Sequence, residues 1–124
     1  MAQSPLGATQ SPAPTHTPAV AHLVVVRGPG APGPFPVSDR AITRIGRAGR
    51  EVSLPHVTVS PAHAEIRPEH GRFALVNHDP LIGTYLNGRP ISAAELGDGD
   101  QITVGVFRLI FELRRVALPA QRAG

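Results

Sequence analysis

Arg47 is the residue of this chain best suited to gripping an anion. Its planar guanidinium matches a phosphate bidentately, as a lysine ammonium does not. It follows Gly46 at the end of the run Ala41-Ile42-Thr43-Arg44-Ile45. A glycine there admits backbone conformations closed to other residues, so Arg47 is expected to stand on a loop. Further along, Ser60-Pro61-Ala62-His63 supplies a hydroxyl and an imidazole. With Asp79 these make a hydrolytic triad on paper. The chemistry argues against it, since the hydroxyl sits only three residues from its base, with no Gly-x-Ser-x-Gly elbow to present it and no evident oxyanion hole. The chain is expected not to be an enzyme.

Metal and cofactor chemistry finds equally little support. Asp98 and Asp100 flank Gly99, but a calcium loop needs more spaced oxygen ligands and a distal Glu. A tight turn held by Asp side chains is the better reading. His56, His63, His70 and His78 lack the close pairs of zinc sites, and there is no cysteine. No glycine-rich loop opens a helix, so nucleotide binding is not expected. No cofactor is expected.

Composition narrows the partners. The net charge is +3 and all 12 basic residues are Arg. They scatter, apart from Arg44, Arg47 and Arg50 and the pair Arg114-Arg115, whereas nucleic-acid binders cluster such charge or interleave it with aromatics. No apolar run approaches the ~20 residues of a membrane span, and no basic-then-apolar leader precedes the first strand pattern. A cytoplasmic protein that binds neither nucleic acid nor membrane is expected.

The elements that must position these residues are short and β-type. Residues 1–21 are rich in Pro, Ser, Thr and Ala without periodicity and read as a disordered tail; residues 116–124 read as a second, shorter one. Between them, residues 22–115 make one domain. Leu23-Val24-Val25-Val26 is an apolar run ended by a Gly/Pro loop from Gly28 to Pro34. Glu51-Val52-Ser53-Leu54 reads as a short strand. Ala64-Glu65-Ile66-Arg67 and Arg72 to Asn77 flank a turn at His70-Gly71, and Asn87-Gly88 is a strong hairpin dipeptide. Gln101 to Val104 and Val106 to Leu113 close the sheet, with Phe107, Leu109 and Phe111 on one face by the two-residue period. No segment sustains a helical period.

Taken in order, Ile45-Gly46-Arg47, Ser60-Pro61-Ala62-His63, Gly83-Thr84-Tyr85-Leu86-Asn87-Gly88, Leu96-Gly97-Asp98-Gly99-Asp100-Gln101-Ile102 and Gly105 resemble the forkhead-associated (FHA) domain. The resemblance runs from about His22 to Arg114. It implies an all-β sandwich of mainly antiparallel strands with its ligand loops at one end. It also implies a module that binds phosphothreonine peptides or proteins in kinase-linked signalling. On that resemblance Arg47 and Ser60 contact the phosphate, while Gly46, His63, Gly83, Thr84 and Asn87 support the loops. Three positions depart from the pattern. Pro61 stands where a basic or polar residue often helps grip the ligand, and Leu81 and Ile82 replace a Thr/Ser-Asn pair. Losing the neutral hydrogen bonds they would make, at ~0.5–1.5 kcal/mol each, implies weak binding. The alternative is a phosphate-independent scaffold that uses exposed Leu81 and Ile82 as an apolar contact. Ser4, Ser11 and Thr17, each before a Pro, and Thr9 and Thr15 nearby make the chain's own phosphorylated tail a further possible ligand.

Overall fold

Phe107, Leu109 and Phe111 are fully buried while their strand neighbours Arg108 and Ile110 are only partly covered, so one face of a single strand builds much of one wall of the core. Ile66, Phe73 and Leu75 do the same from the opposite wall. The computed structural model describes residues 19–115, which form two β-sheets stacked through these side chains. Phe73 and Phe111 meet edge to face across the interior, with ring centroids 5.4 Å apart, a geometry that contributes about 0.5–1.5 kcal/mol beyond area burial.

The strands are β1 (Ala19–Arg27), β2 (Phe35–Val37), β3 (Thr43–Gly46), β4 (Val52–Ser53), β5 (Ala64–Glu69), β6 (Arg72–Asn77), β7 (Thr84–Leu86), β8 (Arg89–Ile91), β9 (Ala93–Leu96), β10 (Gln101–Val104) and β11 (Phe107–Arg115). One sheet runs β2-β1-β11-β10-β7-β8 and the other β4-β3-β5-β6-β9. Among the described residues every strand pairing is antiparallel except β3 with β4. The fold is the all-β sandwich expected.

Several boundaries differ from expectation. Strand β1 opens at Ala19, with Ala19, Val20 and Ala21 paired to Arg115, Arg114 and Leu113 and Ala21 buried. The tail boundary at residue 21 is therefore too late, because pairing to β11 and one buried methyl order a stretch without obvious apolar pattern. Residues 1–18 and 116–124 lie outside the described residues. Strand β2 follows the Gly/Pro loop and contains Pro36, tolerated because β2 is a sheet edge. Thr43 is buried and Ile42 exposed, since Thr43 Oγ1 accepts the Ser38 N–H at 3.2 Å and the strand begins only there.

Three connections meet at one end of the sandwich: β3–β4, β4–β5 and β6–β7, with the β10–β11 turn beside them. The β4–β5 connection is irregular yet anchored, because Leu54 and Val59 are fully buried. Thr58 Oγ1 accepts the Val106 N–H at 3.0 Å, tying it to the β10–β11 turn.

Candidate functional site

Gly46 is the last residue of β3 and does not have a positive φ. Its lack of a side chain serves a close approach instead of the unusual backbone expected. A Cβ would lie 2.1 Å from the Pro61 carbonyl oxygen and 2.8 Å from Arg50 Cγ. The β3–β4 loop can therefore press directly onto the β4–β5 connection. Arg47 N–H donates to the Ser60 carbonyl at 3.1 Å and Arg47 Nε to the Val59 carbonyl at 2.8 Å. On the other side of Ser60, Arg50 Nε donates to the Pro61 carbonyl at 3.0 Å. Two guanidinium groups are thus fastened by their Nε atoms to the carbonyls flanking Ser60. Arg47 is exposed, and among the described residues no carboxylate lies within ion-pair distance of it.

His63 joins two loops from within. It is fully buried; its Nδ1 accepts the Ser60 N–H at 3.1 Å and its Nε2 donates to the Gly83 carbonyl at 2.8 Å. A backbone N–H must donate and a carbonyl must accept, so these partners select the neutral Nε2–H tautomer. Gly83 has φ +82°, a conformation that glycine adopts without steric cost, and its N–H donates to the Asp79 carbonyl at 2.9 Å. Buried Thr84 donates its hydroxyl to Asn77 Oδ1 at 2.8 Å.

Asp79 organises the β6–β7 loop, a role the sequence reading missed. Its Oδ1 accepts the N–H groups of Leu81 and Ile82, both at 2.8 Å, and its Oδ2 accepts the Ser60 hydroxyl. The Ile82 N–H is the chief cause holding the Asp79 carboxyl below its usual range; burial opposes this and the Leu81 N–H adds to it. Asn77 completes the loop, donating from Nδ2 to the Asp79 carbonyl at 3.0 Å and accepting the Asp79 N–H at 3.1 Å. The available signal was chemical: Asn77 and Asp79 are the short polar side chains that bond backbone two residues on.

These contacts answer the triad question. The Ser60 hydroxyl is bonded to Asp79, and the His63 nitrogen nearest Ser60 is occupied by a backbone N–H, so no nucleophile–base hydrogen bond is assembled. Leu81 is 91% exposed and Ile82 half-buried. Val57, 80% exposed, and Val106 add apolar surface on neighbouring loops at this end. Asn87 lies elsewhere. The pairing of Thr84 with Val104 and Leu86 with Ile102 carries β7 away from the loops, and Asn87 caps the far end by donating to Asp100 Oδ1 at 3.1 Å. It supports the fold there, not the binding loops.

Comparison with known proteins bears on this geometry. A family model described as the FHA domain matches residues 43–105. The chain is 45% identical over 95 residues to the glycogen accumulation regulator GarA of Mycobacterium tuberculosis, covering 76% of this chain and 58% of that protein. It is 43% identical over 90 residues to the oxoglutarate dehydrogenase inhibitor of Corynebacterium glutamicum, covering 72% and 62%. The matched part thus spans less than two thirds of the length of these relatives. Among solved structures, one from a structural and functional analysis of phosphothreonine-dependent FHA domain interactions superposes with TM-score 0.70 at 26% identity, covering 78% of this chain and 99% of that one. The FhaA FHA domain, complexed with an intracellular domain, superposes with TM-score 0.66 at 27% identity, covering 74% and 99%.

Proposed function

This chain belongs to the FHA-domain family, and from that membership we propose that it is a non-enzymatic interaction module that binds phosphothreonine-containing proteins through Arg47 and Ser60. The observation that carries the reading is the state of Arg47. Its Nε is spent on the Val59 carbonyl, which fixes the plane of the guanidinium, while the residue is exposed and, among the described residues, no carboxylate lies within ion-pair distance of it. A pre-oriented, uncompensated guanidinium is what a phosphate needs, and fixing it beforehand lowers the ordering cost of binding. Ser60 is adjacent, but its hydroxyl proton is held by Asp79, so Ser60 must turn from Asp79 to donate to phosphate.

Binding is expected to be weak. Pro61 brings no side-chain donor, and Leu81 and Ile82 have spent their N–H groups on Asp79 while their side chains offer no polar atom. Similarity to a regulator and to an enzyme inhibitor supports a role in which binding itself is the output, and a phosphothreonine ligand ties that role to kinase-linked signalling. The exposure of Leu81 favours a second reading, in which this loop docks on a partner without phosphate.

A library of phosphothreonine peptides screened beside the unphosphorylated twins decides between them. Binding only to phosphorylated members is the expected result. Equal capture of both would support the apolar scaffold. Preference for peptides copied from residues 1–18 would make the chain's own tail the ligand.

A further inference from the structure

Arg50 has no role in the reading above, yet it is held as firmly as Arg47. Its N–H donates to Ser53 Oγ at 3.2 Å and its carbonyl accepts the Ser53 hydroxyl at 3.0 Å, so its backbone is fixed. Its side chain crosses Gly46 to reach the Pro61 carbonyl. Among the described residues the terminal nitrogens of Arg50 take no hydrogen-bond partner and no carboxylate lies within ion-pair distance. Arg50 borders a shallow recess of about 350 Å³ shared with Arg44, Ala62, Ala64, Glu65 and His78. The charges of its neighbours are already committed. Glu65 is bonded by Arg67 and by His78 Nε2, the latter at 3.0 Å, and Arg44 pairs with Glu51 at 3.6 Å. Among the described residues that line the recess, Arg50 is the arginine without an ion pair.

We infer that Arg50 forms a second anion subsite, taking a carboxylate or a second phosphate on the same peptide, two residues from the phosphothreonine. This rests on the assignment of Arg47 as the phosphate anchor. The spacing follows from where the two guanidinium groups are fastened. Their anchoring carbonyls belong to Val59 and Pro61, and two residues of chain span at most about 7 Å. An extended peptide advances about 3.3 Å per residue and returns to the same face every second residue. Side chains two apart on a bound strand therefore match the spacing of the two carbonyls that anchor the arginines. Arg50 is half-buried and already oriented, so it forms a charge-assisted contact without the ordering cost of a surface arginine.

The test compares five peptides on the full chain by calorimetry: one with a single phosphothreonine and Ala both two before and two after it, and four with Asp or phosphothreonine at one of those two positions. One of the two positions should raise affinity about five- to tenfold with Asp and more with phosphate. In Arg50→Gln that ratio should collapse to about twofold or less. In Arg50→Lys, which keeps charge without the planar fork, the phosphate arm should keep part of its gain. A ratio below about twofold at both positions in the unsubstituted protein, or a ratio that survives in Arg50→Gln, overturns the subsite. Should Arg50→Gln fail to melt cooperatively, the ratio in the unsubstituted protein and its partial retention in Arg50→Lys still decide. The unphosphorylated twin of the single-phosphate peptide separates the failures. If it binds as well as the phosphorylated form, the phosphothreonine reading has failed; if it does not and the ratio is still flat, only the second subsite has.

Discussion

The two ends of the sandwich are built from similar parts and left in different states. At the far end, Asp100 accepts the Gly97 N–H at 2.7 Å and the Asn87 amide, Asn87 Oδ1 accepts the Gln101 N–H at 2.9 Å, and Asp98 accepts the Leu113 N–H at 2.8 Å. Each short polar side chain closes a turn. At the loop end, Asp79, Asn77 and His63 close turns in the same manner, but the side chains of Arg47 and Arg50 contribute only their Nε atoms to the hydrogen bonding of the described residues. Among the described residues their remaining donors take no partner and neither guanidinium forms an ion pair. A bonded carboxylate marks architecture, and an oriented cation with unused donors marks a binding surface.

That contrast breaks most sharply under a pair of substitutions. Arg47→Ala should remove most phosphopeptide binding, since a charge-assisted hydrogen bond contributes roughly 1.5–3 kcal/mol, or about ten- to 150-fold in affinity. The melting temperature should fall as well, by several degrees, because the one side-chain bond lost is to the carbonyl of fully buried Val59. Asp100→Ala should cost stability alone. Losing about 1 kcal/mol from an exposed turn lowers the melting temperature of a domain this size by roughly 4–8 °C, with peptide affinity unaltered. Titration calorimetry and thermal melts on both variants check this. An Arg47 variant that melts early and binds normally would erase the distinction between the two ends.

The fold was legible because its strongest signals are local. The hairpins at His70-Gly71 and Asn87-Gly88 carry positive φ at both central residues, the geometry that Asn-Gly and its kin announce, and the alternation through Phe107 to Phe111 needs only a period of two. What stayed hidden was non-local or concealed by composition. Strand β9 is Ala93-Ala94-Glu95-Leu96, with no β-branched residue, and exists because β6 offers it an edge. Asp79 looked like one member of an unconvincing triad, since only the closed loop brings it to the Ser60 hydroxyl from 19 residues away. Arg50 stands out in the sequence only as a basic neighbour of Arg47 that could add electrostatic help, and its crossing of Gly46 to the Pro61 carbonyl needs the folded loops. Arg47 and Ser60 were singled out by resemblance, and the structure sets them side by side.

The loop end can also be sharpened instead of broken. Ile82→Asn should strengthen phosphothreonine-peptide binding, because an amide offers a donor and an acceptor to an extended peptide while Ile offers neither. The Ile82 N–H is already held by Asp79 and its side chain is half-buried, outside the core, so the loop should keep its shape. Recovering about 1–2 kcal/mol corresponds to roughly a five- to thirtyfold gain. A folded variant that gains nothing would mean that the peptide backbone does not pass Ile82.

The smallest effect separates ligand from loop by pH. A phosphothreonine loses its second charge as pH falls through about 6. Affinity should therefore weaken about three- to tenfold between pH 7 and pH 5. The Asp79 bonds of the β6–β7 loop should not contribute to that loss. The Asp79 carboxyl is held below its usual range, first by the Ile82 N–H, so the charged form is favoured in the folded state. A depressed folded value means the stabilisation is fully present above the ordinary carboxylate value, about 3.9, and is lost only as pH falls through the lower folded value. The amide resonances of Leu81 and Ile82, which report the bonds to Asp79, should stay in place from pH 7 to pH 5 while the binding curve moves. If those amides shift together with the affinity, the loop is titrating, and Asp79 belongs with the ligand-responsive parts of this end and not with its scaffold.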